Sequence, residues 1–282
     1  MNLSFEYSIL NFFESIRTPF LNSLFIGITQ LGSFDFYITV IPILFFIINE
    51  KIAYRFLFRL IICYGLNTIL KNAFKLPRPS KELIDVLFEE SGGGYGFPSG
   101  HAQNATVFWL SFYTEFKRWI FLIIGLIMIF LISISRLYLG VHFFMDVVGG
   151  IFIGIVFLFL YIYLLQKPLD KVSVGNIKIN LPISIILFIL SFFNLFSMAT
   201  LFAATSGMIL GTGISSNLNY QMKNGILKTI IRVVIGVGIL ILLRFGLKII
   251  IGETLYMDII RYFIMGIWIT FLSKILFKFL KI

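Results

Sequence analysis

Long apolar runs follow one another from the first third of the chain to its end, with short polar segments between them. Nine runs have the length and hydrophobicity of helices: about 33–48, 52–73, 101–117, 118–137, 143–166, 181–198, 200–216, 228–250 and 255–277. A helix needs about 20 apolar residues to cross the hydrocarbon core of a bilayer. The pattern predicts an all-α fold, a polytopic transmembrane helical bundle of eight to nine spans.

Two segments depart from this pattern. Residues 3–31 are predicted to form an amphipathic segment at the membrane interface, interrupted by Pro19 and ended by Gly32. This segment has no basic stretch followed by an apolar core, so it is not expected to be a cleavable signal peptide. The run 200–216 is rich in Thr, Ser and Gly and is the weakest of the nine spans.

Composition supports a membrane protein. Hydrophobic residues make up 59% of the 282 positions, charged residues 13%, and the mean hydropathy is +0.99. Soluble domains have about 45–50% apolar and about 25% charged residues. The net charge of +10 does not indicate nucleic-acid binding, because no basic stripe with interleaved aromatic residues is present and the charges fall in loops between spans.

Basic residues divide unevenly when the spans alternate across the membrane. Outside the polar clusters described below, four lie on one side: Arg17, Lys75, Lys81 and Lys248. Twelve lie on the other: Lys51, Arg55, Lys117, Arg118, Lys167, Lys171, Lys178, Lys223, Lys228, Lys274, Lys278 and Lys281. Cytoplasmic loops carry an excess of Lys and Arg. The second side, with the C-terminus, is therefore predicted to be cytoplasmic in a multi-pass plasma membrane protein.

Three polar clusters stand out in this apolar sequence, and two of them contain the only histidines of the chain. In order, they are Lys71 with Arg78, then Ser99-Gly100-His101, then Arg136 with His142 and Asp146. All three fall on the side predicted to be external. Cations gathered with both histidines indicate chemistry on an anion. The sequence shows no metal-ligand spacing, so neither a metal nor another cofactor is expected.

The third cluster has the spacing of a catalytic pair. His142 and Asp146 are four residues apart at the start of a predicted helix, so they share one face. The carboxylate can keep one ring nitrogen protonated and leave the other free as a nucleophile. Taken alone, such a pair is more often structural: the aspartate caps the helix, and the histidine has its hydrogen bonds within the fold. Arg136, six residues before His142, favours catalysis because its guanidinium suits phosphate oxygens.

The other two clusters can serve the same anion. Ser99 is a natural N-cap, which would explain it structurally, but a helix that begins at Gly100 also offers backbone N–H groups to an anion. His101 in the first turn can donate a proton. Taken singly, Lys71 and Arg78 could be ordinary charged residues at the membrane interface, with no role in anion binding. Together these residues indicate phosphoryl transfer through a phosphohistidine without a metal ion.

These three clusters, in this order and spacing, resemble the signature of the type 2 phosphatidic acid phosphatase superfamily, relatives of the vanadium haloperoxidases. The resemblance covers about Arg17 to Gly154. It implies that His142 is the nucleophile, Asp146 its orienting partner and His101 the acid to the leaving group. It also implies phosphate contacts by five residues: Lys71, Arg78, Ser99, Gly100 and Arg136. Bacterial members of the lipid phosphatase branch have their active site on the outer face.

The resemblance divides the chain into a catalytic core, 1–168, and accessory C-terminal helices, 169–282, whose role the residues leave open. The expected activity is hydrolysis of a lipid phosphate or pyrophosphate at the outer face. Undecaprenyl pyrophosphate, phosphatidic acid, phosphatidylglycerol phosphate and sphingoid phosphates all stay open as substrates, and so does homo-oligomer formation.

The sequence also has to be compared with three other functions. A lipid-linked phosphotransferase would use the same phosphohistidine with another acceptor, and the motifs do not separate it from a hydrolase. An anion transporter would need polar residues that continue towards the cytoplasmic side, and no such path follows Arg136. A vanadium peroxidase is disfavoured because those relatives are soluble.

Overall fold

The structure is a computed structural model that describes residues 3–88, 94–173, 175–195, 198–218, 220, 222 and 225–282. Every regular element in these ranges is a helix, which confirms the predicted all-α class. The α-helices are α1 (Leu3–Ser15), α2 (Pro19–Gln30), α3 (Phe34–Ile47), α4 (Glu50–Phe74), α5 (Gly100–Phe116), α6 (Trp119–Tyr138), α7 (Phe144–Leu160), α8 (Gln166–Ser173), α9 (Ile177–Ser191), α10 (Ala199–Ser215), α11 (Ile226–Ile251), α12 (Leu255–Ile267) and α13 (Ser273–Phe279). Single π-helical turns, Tyr161–Leu165 and Trp268–Leu272, join α7 to α8 and α12 to α13.

Each of the nine predicted helices has a counterpart, and the largest displacement is at α9. The prediction placed this helix at 181–198, whereas it runs from Ile177 to Ser191. Its start is set by Asn176, whose side chain accepts a hydrogen bond from the Lys178 N–H at 3.0 Å. An asparagine in this position satisfies a backbone donor at the helix start. The apolar run alone did not mark this start.

The predicted count of nine spans is not confirmed. Among the described residues, five helices are long and apolar enough to cross a membrane, or six if Pro19–Gln30 and Asp35–Ile47 together form one bent span. α9 and α10 are apolar but have only 15 and 17 residues, and α5 also has 17. A helix of that length reaches about 25 Å, less than the bilayer core of about 30 Å. The structure thus supports a multi-pass membrane protein with fewer full-length spans.

The N-terminal segment is divided into two helices. α2 begins at Pro19, where the missing N–H costs no helical bond, and Thr18 Oγ1 accepts from the Leu21 N–H at 3.2 Å. α1 packs against α6 and α7, and this contact buries Glu6 and Leu10. Its location at a membrane interface stays a prediction.

The chain forms two compact units. The first comprises residues up to Thr39 together with Phe56–Leu164, and within it α5 packs against α6 and α7. Gly150 and Gly154 allow α7 to approach α5, since a Cβ would lie 2.6 Å from Ser99 O at one and 2.9 Å from Gln103 O at the other. The two glycines therefore permit close packing of α7 on α5. It brings the start of α7 to the start of α5.

The second unit comprises Val40–Arg55 and Leu165–Ile282. Within it α10 packs against α9 and α12. At Gly207 a Cβ would lie 2.1 Å from Phe263 O, and at Gly266 it would lie 2.1 Å from Ala204 O. The backbones of α10 and α12 therefore touch directly. The predicted boundary between residues 168 and 169 stays a prediction.

Candidate active site

A cavity of about 470 Å³ in the first unit gathers most of the predicted site residues. Five of them line it: Lys71, Arg78, Gly100, His101 and His142. The remaining three, Ser99, Arg136 and Asp146, are buried and do not belong to its lining. The end of α4, the loop that follows it, the start of α5 and the α6–α7 connection supply the five lining residues. Sequence segments up to about 70 residues apart thus meet at one site.

His142 lies between a carboxylate and a guanidinium. Its Nδ1 is 3.2 Å from Asp146 Oδ2, and its Nε2 is 3.0 Å from Arg78 Nη1. A guanidinium has only donors, so Nε2 must be the unprotonated acceptor of that contact. Nδ1 then carries the ring proton and donates it to Asp146. The predicted pair is therefore held in the tautomer whose Nε2 lone pair faces the cationic side.

Burial and neighbouring charge keep His142 neutral. The imidazole is almost fully buried, and this desolvation lowers its pKa well below the usual value for histidine. The charges of Arg78, Arg136 and Lys71 lower the pKa further, with a smaller contribution from His101. A neutral imidazole has a lone pair available for attack, so the environment matches the requirement for a nucleophile.

Asp146 is fixed by the first turn of α7. Its Oδ2 also accepts the Phe143 N–H at 3.1 Å. The next two amides, of Phe144 and Met145, donate to the buried Glu6 carboxylate of α1 at 2.7 and 3.3 Å. Carboxylates at a helix start satisfy unpaired amides and interact favourably with the helix dipole. α1 thus helps to fix the turn that carries Asp146.

The start of α5 differs from the prediction in one hydrogen bond. Ser99 occupies the N-cap position, but its side chain makes no capping bond. Its Oγ is buried without a hydrogen-bond partner among the described residues, while its N–H donates to Asp146 O at 2.9 Å. The hydroxyl is therefore not used by the helix. At Gly100 a Cβ would lie 3.0 Å from Asn67 Oδ1, so a larger residue would press on this side chain.

The cations of the first cluster contact carbonyl oxygens of the loop before α5 and of the α6–α7 connection. Lys71 Nζ donates to Tyr95 O and to Gly96 O, the latter at 3.1 Å. Arg78 donates from Nε to Gly94 O at 2.8 Å and from Nη1 to Val141 O at 2.6 Å. Burial lowers the pKa of Arg78 to about 10, while Asp146 opposes this shift. Arg78 is therefore charged at neutral pH.

Arg136 is placed differently from the expected phosphate fork. Its side chain is fully buried, and Nη1 donates to Thr29 Oγ1 of α2. Its charge nevertheless acts on both histidines. The spacing to His142 predicted proximity, but the contact with α2 could not be read from that spacing.

Several polar residues of the cavity were missed by the sequence interpretation. Tyr64, Asn67 and Thr68 precede Lys71 on α4, and Asn104 follows His101 by three residues on α5; all line the cavity. Their spacing of three, four and seven residues from the cluster residues was a usable signal, since such positions share a helix face. Glu6 had no comparable signal because its partners are far away in sequence.

The described ranges contain no group of three or more His, Cys, Asp and Glu side chains that could hold a metal ion. Metal independence stays a prediction that experiment must test.

Comparison with known proteins decides the family. The PAP2 superfamily profile matches residues 52–170. Phosphatidylglycerophosphatase B of Bacillus subtilis is 33% identical over 162 residues, which cover 51% of this chain and 75% of that protein. The chain belongs to the PAP2 superfamily. The resemblance inferred from the three clusters is confirmed, and all eight predicted site residues fall inside the PAP2 match.

A second match covers the C-terminal part of this PAP2 protein. The profile described as PAP2 superfamily phosphatase, transmembrane extension, matches residues 199–282. The sequence interpretation left the role of these C-terminal helices open. They are a recognised addition to the PAP2 domain.

Solved and curated relatives agree with this assignment. The crystal structure of a transmembrane PAP2 type phosphatidylglycerolphosphate phosphatase from Bacillus subtilis matches with a TM-score of 0.51 and 31% identity, over 61% of this chain and 88% of that one. Lipid A 4'-phosphatase of Bacteroides thetaiotaomicron is 29% identical over 53% of this chain and 72% of its own length. Sphingosine-1-phosphate phosphatase 2 of Homo sapiens is 32% identical, but the chain covers only 36% of it.

Proposed function

We propose that this chain is an integral membrane phosphatase that hydrolyses a lipid phosphate or pyrophosphate at the outer membrane face through a phosphohistidine. The observation that carries the proposal is the position of the His142 ring between Asp146 and Arg78, which favours one tautomer. Asp146 accepts from Nδ1, and Nε2 faces Arg78 as an acceptor. An imidazole held in this way can attack a phosphorus atom that the neighbouring cations bring to it.

The reaction has two steps. The bound phosphate anion favours the protonated form of His101. In the first step, His142 Nε2 forms a bond to phosphorus, the bond to the leaving-group oxygen breaks, and the His101 imidazolium gives its proton to that oxygen. In the second, His101 takes a proton from water, the water oxygen attacks phosphorus, and the N–P bond breaks to release inorganic phosphate. His142 keeps its Nδ1 proton throughout, and Asp146 stabilises the positive charge of the phosphorylated ring.

Binding of the phosphoryl group is assigned to the cations and the start of α5. Lys71 and Arg78 line the cavity, and their present carbonyl contacts would exchange for phosphate oxygens. Charged hydrogen bonds are stronger than neutral ones, which favours this exchange. The unused Ser99 hydroxyl and the amides at Gly100 extend the site. Arg136 is buried outside the cavity lining and contributes its positive charge without direct contact.

The lipid nature and the membrane face rest on other observations. Named relatives act on phosphatidylglycerophosphate, lipid A and sphingosine 1-phosphate, and this chain has several membrane-spanning helices. The distribution of Lys and Arg supports an external site. Fixed cations take the role that magnesium has in many phosphoryl transfers, so we expect activity to survive chelation.

The test is a single-turnover assay on the purified full-length protein with a labelled lipid phosphate. The wild type should form a phosphoenzyme that is acid-labile and base-stable, and should release free phosphate without an added acceptor. His142→Ala should fold, as shown by its melting temperature, and should form neither species. A phosphoenzyme of the same chemistry in His142→Ala would contradict the assignment. Loss of activity in EDTA that magnesium restores would contradict a metal-free mechanism.

A further inference from the structure

The cavity that holds the two histidines is also lined by polar residues that the proposed reaction does not use. On α4 these lie on the face of Lys71, up to two turns before it; on α5 Asn104 lies one turn after His101. The unused polar residues of the lining are Gln30, Ser33, Asp35, Tyr64, Asn67, Thr68 and Asn104. Several of them have hydrogen-bond partners within the fold, as Ser33 and Thr68 do, so only a buried lining residue without such a partner indicates a ligand.

Asn104 is the most informative of these residues. It lines the cavity, is only 6% exposed, and its Oδ1 has no hydrogen-bond partner in the described part of the chain. Asn67, in contrast, is used by the fold, because its Nδ2 donates to Gln103 Oε1 at 2.8 Å. An unsatisfied buried acceptor is costly. Its presence beside a cavity indicates that a ligand group with a donor completes it.

A carboxylate approaches from another element. Gly32, at the α2–α3 junction, lies against the ring of His101, since a Cβ there would be 3.2 Å from His101 Cδ2. Asp35, one turn further in α3, lines the same cavity. A carboxylate beside an otherwise cationic site repels phosphate. It is therefore suited to a different part of the substrate, one that donates hydrogen bonds.

His101 locates that part of the substrate. In the proposed function, on which this inference rests, His101 protonates the leaving-group oxygen. Asn104 shares its helix face, and Asp35 approaches from the junction that touches its ring. Both residues therefore lie near the atoms that follow this oxygen in the lipid.

We infer that Asn104 and Asp35 form a subsite for a hydrogen-bond donor, a hydroxyl or an amine, carried by the leaving group within a few bonds of the phosphate ester. Lipid phosphates with a hydroxylated or amino-substituted leaving group satisfy both residues. Diacylglycerol phosphates and prenyl pyrophosphates carry no hydroxyl or amine at this position of the leaving group, so the buried Asn104 Oδ1 stays unsatisfied. A site built for a donor discriminates against analogues that lack it.

The test compares three synthetic substrates of equal chain length: a long-chain alkyl phosphate, and its counterparts with a hydroxyl or an amine on the carbon next to the phosphate-bearing one. The full-length wild type should prefer at least one donor-bearing substrate by on the order of 10- to 100-fold in kcat/KM, the penalty of an unsatisfied buried group. A preference for the hydroxyl indicates that Asn104 recognises the donor. A preference for the amine indicates that Asp35 does.

Variants locate the effect. Asn104→Leu should remove the preference for the hydroxyl, measured as the ratio of kcat/KM for the hydroxyl substrate to kcat/KM for the alkyl phosphate in the same variant. Asp35→Asn, at an exposed position that tolerates substitution, should remove the preference for the amine. Thr106→Val is the matched control: its hydroxyl bonds to Ala102 O within α5, it does not line the cavity, and it should keep the wild-type ratios.

The outcomes separate this inference from the proposed function. Equal rates for the three substrates, all abolished by His142→Ala, would overturn the subsite and leave the phosphatase in place. The same conclusion would follow if Asn104→Leu and Asp35→Asn each slowed all substrates equally. No hydrolysis of any substrate by the wild type would overturn both proposals.

Discussion

Replacing Asp146 with asparagine removes one negative charge from beside His142 with little change in shape. The carboxylate is buried with His142, and its Oδ2 lies 3.2 Å from the ring Nδ1. When His142 attacks phosphorus, its ring becomes positively charged, so the carboxylate stabilises the transition state more than the ground state. This differential is what lowers the barrier.

The distance allows the effect to be estimated. Two unit charges at 3.2 Å attract each other by about 5 kcal/mol at an effective dielectric constant of about 20. Both charges are delocalised over several atoms, so about 3–5 kcal/mol is the expected range. One factor of ten in rate corresponds to about 1.4 kcal/mol. Asp146→Asn should therefore slow formation of the phosphoenzyme by about 10²–10⁴-fold.

The measurement is the single-turnover rate of phosphoenzyme formation, with phosphate affinity measured separately. Binding should change little, because Lys71 and Arg78 still contact the anion. Asp85→Asn is a matched control: Asp85 is 67% exposed and lies 3.5 Å from Arg17, and a surface pair of this kind contributes only about 0–1 kcal/mol. A rate for Asp146→Asn within about fivefold of that control, in a protein with unchanged melting temperature, would refute this reasoning.

Three further predictions follow from the same geometry. His101→Ala should slow monoester hydrolysis by about 10²–10⁴-fold, the usual contribution of a general acid, but should slow a pyrophosphate less because its leaving group is already stable; equal losses in kcat would contradict this role. Glu6→Ala should lower unfolding stability by about 1–3 kcal/mol through two unsatisfied amides and should lower kcat more than it raises KM. Glu6→Gln keeps one acceptor oxygen and should recover part of both losses; an unchanged melting temperature of Glu6→Ala would contradict the cap. In a Cys63→Ala background, Glu82→Cys should react with an impermeant thiol reagent on intact cells and Arg118→Cys should not; the reverse pattern would place the site in the cytoplasm.

Much of the fold could be predicted from hydrophobic periodicity. Each predicted helix exists because apolar runs of this length have few alternatives to a helix. Span number was less accessible, since α5, α9 and α10 are helical but short. Periodicity shows where a helix forms, but its exact ends depend on capping contacts such as that of Asn176. The break at Pro19 was visible in the sequence, whereas the contact of α1 with α7 was not.

The site was predictable where its residues are close in sequence. His142 and Asp146 meet because four residues make one helical turn, and His101 lies at a helix start that glycine marks. Contacts between distant elements were not accessible in this way. The carboxylate that caps α7 comes from α1, and the partner of Arg136 comes from α2. Only folding brings these residues together.

The direct contact between α10 and α12 makes this part of the chain recognisable in other sequences. Where two backbones touch, no side chain can adjust to a change, so the small residues must stay at matching heights along both helices. The positions of Gly207 and Gly211 on one helix and of Gly266 on the other therefore fix how the two helices align along their length. A chain that carries the same transmembrane extension should show two small residues four positions apart, followed about 55–60 residues later by a third, as Gly207, Gly211 and Gly266 do here. A larger side chain at one of these heights would push the helices apart unless the opposite helix moved as well.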